Sequence, residues 1–173
     1  IIAIPKPITG ACVAQLAVSA VIKNFGKDTL KSAIITWSVN NIPQTPKNWA
    51  GSLITIARDT VVLGTFNFSG NPNPVIMVKS SLPNGKIDEV SANDSLIITR
   101  SLSALPTANA GPDVNVCQGD SLLIGPASSA GYTYKWMSLS NTVLATTSKM
   151  YVAPKSLTTY VLEVTKPSAG CIN

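Results

Sequence analysis

Apolar and polar side chains alternate along much of this chain, and that period of two limits the fold more than any other feature of the sequence. The alternation is clearest over residues 12–23 and 31–40. It matches a β-strand with one buried face. No segment carries the i, i+3, i+4, i+7 apolar spacing of an amphipathic helix. The sequence therefore predicts an all-β fold.

Turn-forming residues divide the chain into short strands and two domains. Residues 104–112 are rich in Pro, Gly and Asn and predict a linker. We expect a β-sandwich over 10–103, a second over 113–173, and a strand or linker over 1–9. Further strands are predicted over 52–57, 60–68, 74–80, 95–102, 113–116, 121–124, 132–137, 142–146, 150–153 and 159–165.

The composition argues against catalysis. The chain has no His, which excludes a Ser-His-Asp arrangement, and only 8 acidic residues. Asp88 and Glu89 are adjacent, so they would face opposite sides of an extended segment and could not flank one glycosidic bond. Asp113 and Asp120 could contact one Ca²⁺, but turn capping is the favoured interpretation. We expect a protein that is not an enzyme and has no cofactor and no metal.

Charge and hydropathy also restrict the partners. The net charge of +5 reflects a shortage of acidic residues, because Lys and Arg form no block of the kind that binds nucleic acid. No apolar run approaches the ~18 residues of a membrane span. The sequence thus predicts neither a nucleic-acid partner nor a membrane span.

Several motifs resemble modules of bacterial surface proteins. Residues 106–117 (PTANAGPDVNVC), 134–136 (YKW), 159–165 (TYVLEVT) and 169–171 (AGC) are similar to PKD-like, immunoglobulin-like repeats. Residues 12–102, with IKNFG, WAGSL and ANDSL, resemble the CARDB-type adhesion-related sandwich. The resemblance implies two tandem immunoglobulin-like β-sandwiches, non-catalytic and extracellular or at the cell surface, secreted by a Gram-negative bacterium.

The resemblance also implies a disulfide between Cys117 and Cys171, because PKD-like repeats often place one there. Cys12 is then left over. The alternative interpretation for all three residues is a buried, reduced thiol, since Cys is a common core residue.

Four of the six Asp residues begin the same type of tripeptide, in which a hydroxyl residue and then an aliphatic residue follow. The hydroxyl residues are Thr29, Thr60, Ser95 and Ser121. The pattern resembles the O-glycosylation acceptor signature of the same bacterial group. The structural alternative is that Asp ends a turn and the hydroxyl residue opens a strand on its solvent-facing side.

The leading hypothesis is a structural or adhesive subunit, or repeat unit, of an extracellular filament or adhesin. Its partners would be copies of itself, neighbouring domains of a longer chain, or surface glycans. The alternative is a non-catalytic carbohydrate-binding or spacer module of a secreted enzyme. Alternation places Trp37 and Trp136 on apolar faces, so Trp49 is the one tryptophan predicted to contact a ligand.

The two ends of the chain suggest how such subunits could assemble. In the PKD-like pattern a final strand follows Cys171, and we expect the second domain to lack it. The apolar residues of segment 1–8 have no obvious place in the first sandwich; they are Ile1, Ile2, Ile4 and Ile8. We expect this donor-type strand to complete the second domain of the next subunit, head to tail. The alternative is a tandem array within one long chain.

Overall fold

A computed structural model describes all 173 residues, and it confirms the all-β fold class. The chain divides into two compact units, Ile1–Ser103 and Ala104–Asn173. The first unit contains β1 (Ala3–Lys6), β2 (Gln15–Lys23), β3 (Leu30–Val39), β4 (Ile42–Pro43), β5 (Lys47–Leu53), β6 (Arg58–Asn67), β7 (Val75–Ser81) and β8 (Ser95–Thr99). The second contains β9 (Leu122–Ile124), β10 (Thr133–Ser138), β11 (Val143–Ala145), β12 (Met150–Val152), β13 (Tyr160–Lys166) and β14 (Cys171–Ile172). Two 3₁₀ turns, Pro83–Gly85 and Ser91–Asn93, precede β8.

The first unit is built from two antiparallel sheets. One has the strand order β1-β2-β6, and the other has the order β4-β3-β7-β8, with β5 also pairing with β3. Alternate side chains of β2, β3 and β7 fill one core, as the period of two predicts. Its fully buried members include Val18, Ile35, Val39, Ile76 and Val78.

The predicted strand over 52–57 is wrong in position, because β5 ends at Leu53. The chain then turns: Ile56 has a φ of 69°, and the Ala57 N–H donates to the Ile54 carbonyl. Strand β4 was missed. It follows Asn40 and Asn41, both with positive φ, and this two-Asn hairpin turn is a signal that the sequence does contain.

The second unit contains a four-stranded sheet with the order β11-β10-β13-β14 and a separate two-stranded sheet of β9 and β12. Its buried core is small and centres on Trp136, Leu162 and Val164. Across β10 and β13, Lys135 forms an ion pair with Glu163 at 2.6 Å, and this is the one ion pair in the chain. The strand predicted over 113–116 does not form, since no strand precedes β9 in this unit.

Each of the three tryptophans lies against a glycine. A Cβ atom at Gly51 would come within 2.7 Å of the Trp49 ring, at Gly64 within 3.0 Å of the Trp37 ring, and at Gly125 within 2.8 Å of the Trp136 ring. All three glycines therefore occupy positions where a larger residue would displace an indole ring.

The N-terminal segment belongs to the first unit of its own chain, so the expectation that it has no place there is wrong. Strand β1 pairs antiparallel with β2, with Ala3 opposite Val21. Ile4 is only 2% exposed and is part of the core, whereas Ile8 is 62% exposed. Ile1 and Ile2 are partly buried. Burial of Ile4 and the hydrogen bonds to β2 hold the segment, which therefore offers no free donor strand here.

The expectation that the second unit lacks its last strand is also wrong. Strand β14 pairs with β13, with Ile172 opposite Thr165. The Asn173 N–H donates to the Val164 carbonyl at 3.0 Å, and the Val164 N–H donates to the Asn173 carbonyl at 2.9 Å. These bonds occupy the edge of β13 that was expected to accept a strand from another subunit.

Ile4→Ala should destabilise the first unit by about 2–5 kcal/mol, because it leaves a cavity in that core. The matched control Ile8→Ala should change stability by no more than about 0.5 kcal/mol. Urea unfolding at several protein concentrations measures both. If β1 instead came from another chain, the midpoint for the unchanged protein would rise with concentration.

Candidate functional site

A groove of about 370 Å³ opens at one end of the first unit. Its walls come from the end of β2, the turn that follows it, and the segment around the two 3₁₀ turns; they include Lys23, Phe25, Asp28, Ile87 and Asp88. Phe25 is 51% exposed, and the Lys23 ammonium lies 4.3 Å from its ring centroid. The groove therefore offers an aromatic ring with a cation on one face.

Buried Asn24 fixes the turn that carries Phe25. Its Nδ2 donates to the carbonyls of Asp28 and Leu53 at 2.8 and 2.9 Å, and its Oδ1 accepts from the Gly26 N–H at 2.9 Å. Both N–H donors and the oxygen acceptor of this buried side chain are bonded to backbone groups. Asn24 is therefore a structural residue that positions the groove wall.

Two carboxyl groups lie together beside this groove. Burial is the main cause that raises the pKa of Asp94, and the negative charge of Asp88 and a hydrogen bond with it add to the rise. The positive charges of the N-terminal amino group and Lys79 act in the opposite direction. Sequence reasoning missed this pair, because six positions and a 3₁₀ turn separate its members and no motif marks them.

The raised pKa of Asp94 predicts a pH effect on stability. A carboxyl group with a raised pKa in the folded state binds its proton more tightly there. This tighter proton binding therefore stabilises the folded state most at pH values below the ordinary pKa of an Asp side chain. The stabilisation is lost as the pH rises through the pKa that Asp94 has in the folded state. In an NMR titration of the side-chain carboxyl carbon, Asp94 should titrate above its ordinary range.

Asp88→Asn should lower the pKa of Asp94, because it removes the neighbouring negative charge. Glu89→Gln is the matched control and should leave that titration where it was. An Asp94 carbon that titrates in its ordinary range, or that responds equally to both variants, would contradict this assignment.

Trp49, the tryptophan predicted to contact a ligand, is buried. It is only 8% exposed, and its Nε1 donates to Oδ2 of Asp59 at 2.7 Å. The error arose because Gly51 leaves space for the ring to fold onto the core side of β5. Trp37 and Trp136 are buried, as their alternation predicts. The exposed aromatic residues are instead Phe25 and Tyr151.

The predicted disulfide between Cys117 and Cys171 is wrong. Cys12 and Cys171 are the disulfide-bonded cysteines, and Cys117 is a free, exposed thiol. The prediction came from the resemblance to PKD-like repeats, which often place a disulfide between these two positions. Cys117 lies instead in a turn, closed by a hydrogen bond from the Asp120 N–H to its carbonyl at 3.1 Å.

The four candidate O-glycosylation residues share one kind of position. Thr29 and Ser121 directly precede β3 and β9, while Thr60 and Ser95 lie at or near the start of β6 and β8. Thr60, Ser95 and Ser121 are exposed and Thr29 is half-buried. The Asp residues that precede them have different environments. Asp94 is buried, and the Asp59 carboxylate accepts a hydrogen bond from the Trp49 indole, whereas Asp28 and Asp120 are exposed.

No arrangement of side chains defines a metal centre, since no group of three or more His, Cys, Asp or Glu residues lies together. Asp113 and Asp120 are both exposed. None of the helical turns has the length and apolar character that a membrane-spanning helix needs. In comparisons with known proteins, no family model and no curated sequence matches the chain.

Proposed function

We propose that this chain is a structural or adhesive module of an extracellular bacterial assembly, such as a filament or an adhesin. The observation that carries the proposal is the disulfide-bonded state of Cys12 and Cys171. Disulfides persist in oxidising surroundings and are rare in the cytosol, where thiols are kept reduced. The disulfide therefore supports a location outside the cytoplasm.

The all-β architecture supports the same proposal. Antiparallel sheets with buried cores are the form expected of the immunoglobulin-like sandwiches that the motifs resemble. All three tryptophan side chains are buried in those cores, and each indole N–H donates a hydrogen bond to a group within the chain. The chain would act by holding a rigid shape and presenting surfaces, and it would not catalyse a reaction.

Assembly would involve copies of the chain or neighbouring domains of a longer polypeptide. Completion of the second unit by residues 1–8 of another copy is not part of this proposal, because β1 pairs with β2 in its own unit and β14 pairs with β13.

Immunogold electron microscopy of intact, unpermeabilised cells of the source organism tests the proposal. An antibody raised against the 173-residue chain should label the cell exterior, and label along filaments would support the filament form. Label seen only after permeabilisation would contradict an extracellular role. Antigen recovered only with a soluble secreted enzyme would favour the alternative, a carbohydrate-binding or spacer module.

The groove is the specific observation that favours this alternative. The half-exposed residue Phe25 lines the same groove as Asp28 and Asp88, and sugar sites commonly combine an aromatic face with polar groups that orient the ligand. In that case Phe25, and not buried Trp49, would contact the glycan.

We also propose that Thr29, Thr60, Ser95 and Ser121 carry O-linked sugars. None of their hydroxyl groups makes a hydrogen bond within the chain, so a sugar would displace no internal contact. Proteolytic peptides that contain these residues, prepared from protein purified from its natural source, should be heavier than their bare polypeptide masses. Peptide mapping should find sugar on Ser95 but not on Thr99, an exposed hydroxyl on the same strand that no Asp precedes. A bare polypeptide mass would contradict the proposal.

A further inference from the structure

Two neighbouring turns at one end of the first unit carry exposed apolar side chains. The strands are antiparallel, so residues 24–29, after β2, and residues 54–57, before β6, fall at the same end. In these turns Phe25 is 51% exposed, Ile54 is 65% exposed and Ile56 is 61% exposed. We call these three residues the apolar tip. Large apolar residues that gather on a surface mark a site of interaction.

Hydrogen bonds tie the two turns together. The Ile56 N–H donates to the Asn24 carbonyl at 2.8 Å, and the Asn24 N–H donates to the Ala57 carbonyl at 3.1 Å. The Thr55 hydroxyl donates to the Lys27 carbonyl at 2.9 Å. The apolar tip is therefore carried by one hydrogen-bonded backbone and not by two independent loops.

Ile56 has a backbone conformation that does not suit its side chain. Its φ of 69° lies in the left-handed region, where a β-branched residue is a rare outlier and Asn or Gly is usual. Strain of this kind is often found where a residue has a function. Here the strained residue is an isoleucine that lies largely in solvent, where burial does little to offset the cost. A partner that covered Ile56 would supply the missing burial.

Basic side chains flank the apolar tip. The Lys23 ammonium lies 4.3 Å from the centroid of the Phe25 ring. Lys27 is exposed two residues after Phe25, and Arg58 is exposed two residues after Ile56. Each of the two turns therefore combines apolar side chains with long cationic ones, which can cover an apolar surface with their stems and keep their charge in water.

Acidic residues are also present at this end of the unit. Asp28 is exposed beside Lys27, and Asp88 and Glu89 line the adjoining groove. The whole chain nevertheless carries a net charge of +5. Its field at a distance is therefore attractive to an anionic surface. The side chains that would meet such a surface first include both the apolar residues and the cations that flank them.

We propose that the apolar tip docks on a phospholipid bilayer that contains anionic lipids. The three apolar side chains would enter the boundary between the headgroups and the acyl chains, and the flanking cations would stay level with the lipid phosphates. Separate apolar side chains on two turns suit a bilayer, because lipids adapt to each side chain and no complementary pocket is needed. This inference does not rest on the proposed function.

Co-sedimentation with vesicles tests the proposal. The 173-residue chain, produced in a host without O-glycosylation, should bind vesicles of phosphatidylcholine mixed with phosphatidylglycerol, and added salt should weaken that binding. Ile54→Asn and Ile56→Asn should each weaken the binding about tenfold, because each removes an apolar side chain that would enter the bilayer.

The matched control for both variants is Ile42→Asn, which should bind like the unchanged chain. Ile42 is 58% exposed but lies on β4, opposite Val39 and at the other end of the unit. Urea unfolding shows that a loss of binding is not a loss of the fold. Ile56→Asn should unfold at a urea concentration no lower than the unchanged chain, because Asn adopts a positive φ more readily.

A second pair of variants separates local charge from net charge. Lys27→Gln should weaken binding about fivefold, because it removes a cation beside the apolar tip. Lys149→Gln removes the same charge from an exposed position in the second unit and should weaken binding less. An equal loss in both variants would contradict docking through the tip.

Three further results would each overturn the proposal. The first is an unchanged chain that stays in the supernatant with the mixed vesicles. The second is normal binding by the Ile54 and Ile56 variants, or an equal loss in Ile42→Asn. The third is a dimer of the free chain in sedimentation equilibrium that Ile54→Asn abolishes, because a second copy would then cover the tip.

Discussion

The burial of three indole rings is the constraint on which both units depend. An indole is large and flat and carries one N–H, so a core that accepts it must supply a close flat surface and an acceptor. Glycine provides the surface for each ring. The acceptors are the Thr45 carbonyl for Trp37, the Asp59 carboxylate for Trp49 and the Ser148 carbonyl for Trp136. Trp37 and Trp136 thereby tie their strands to loops, and Trp49 ties β5 to β6.

This constraint also explains which parts of the fold the sequence could predict. Alternation assigned β2, β3, β6 and β7 and the inward faces of Trp37 and Trp136, because a strand's own pattern determines which side is buried. It could not assign Trp49, whose strand contains Gly51 and lacks regular alternation. It was harder still to predict which strands pair with each other and which cysteines are bonded. Nothing local to residues 1–8 indicates that they pair with β2, and the cysteine pairing was taken from a family resemblance that this chain does not follow.

The candidate groove could not be predicted from the sequence, for a related reason. Its wall depends on Asn24, whose amide reaches Leu53, a residue 29 positions away. Its carboxyl pair depends on a 3₁₀ turn that brings Asp88 back to Asp94. Contacts of this kind come from loop geometry, and they leave no period in the sequence.

The single ion pair between Lys135 and Glu163 has a consequence for the setting in which the protein can work. Dissolved salt weakens folded proteins mainly by screening attraction between charges on their surfaces. Here there is almost none to screen, since both partners are partly exposed and no other pair exists. The fold relies instead on apolar burial and backbone hydrogen bonding, neither of which salt weakens in this way. The fold should therefore lose little stability through the screening of ion pairs when salt is added.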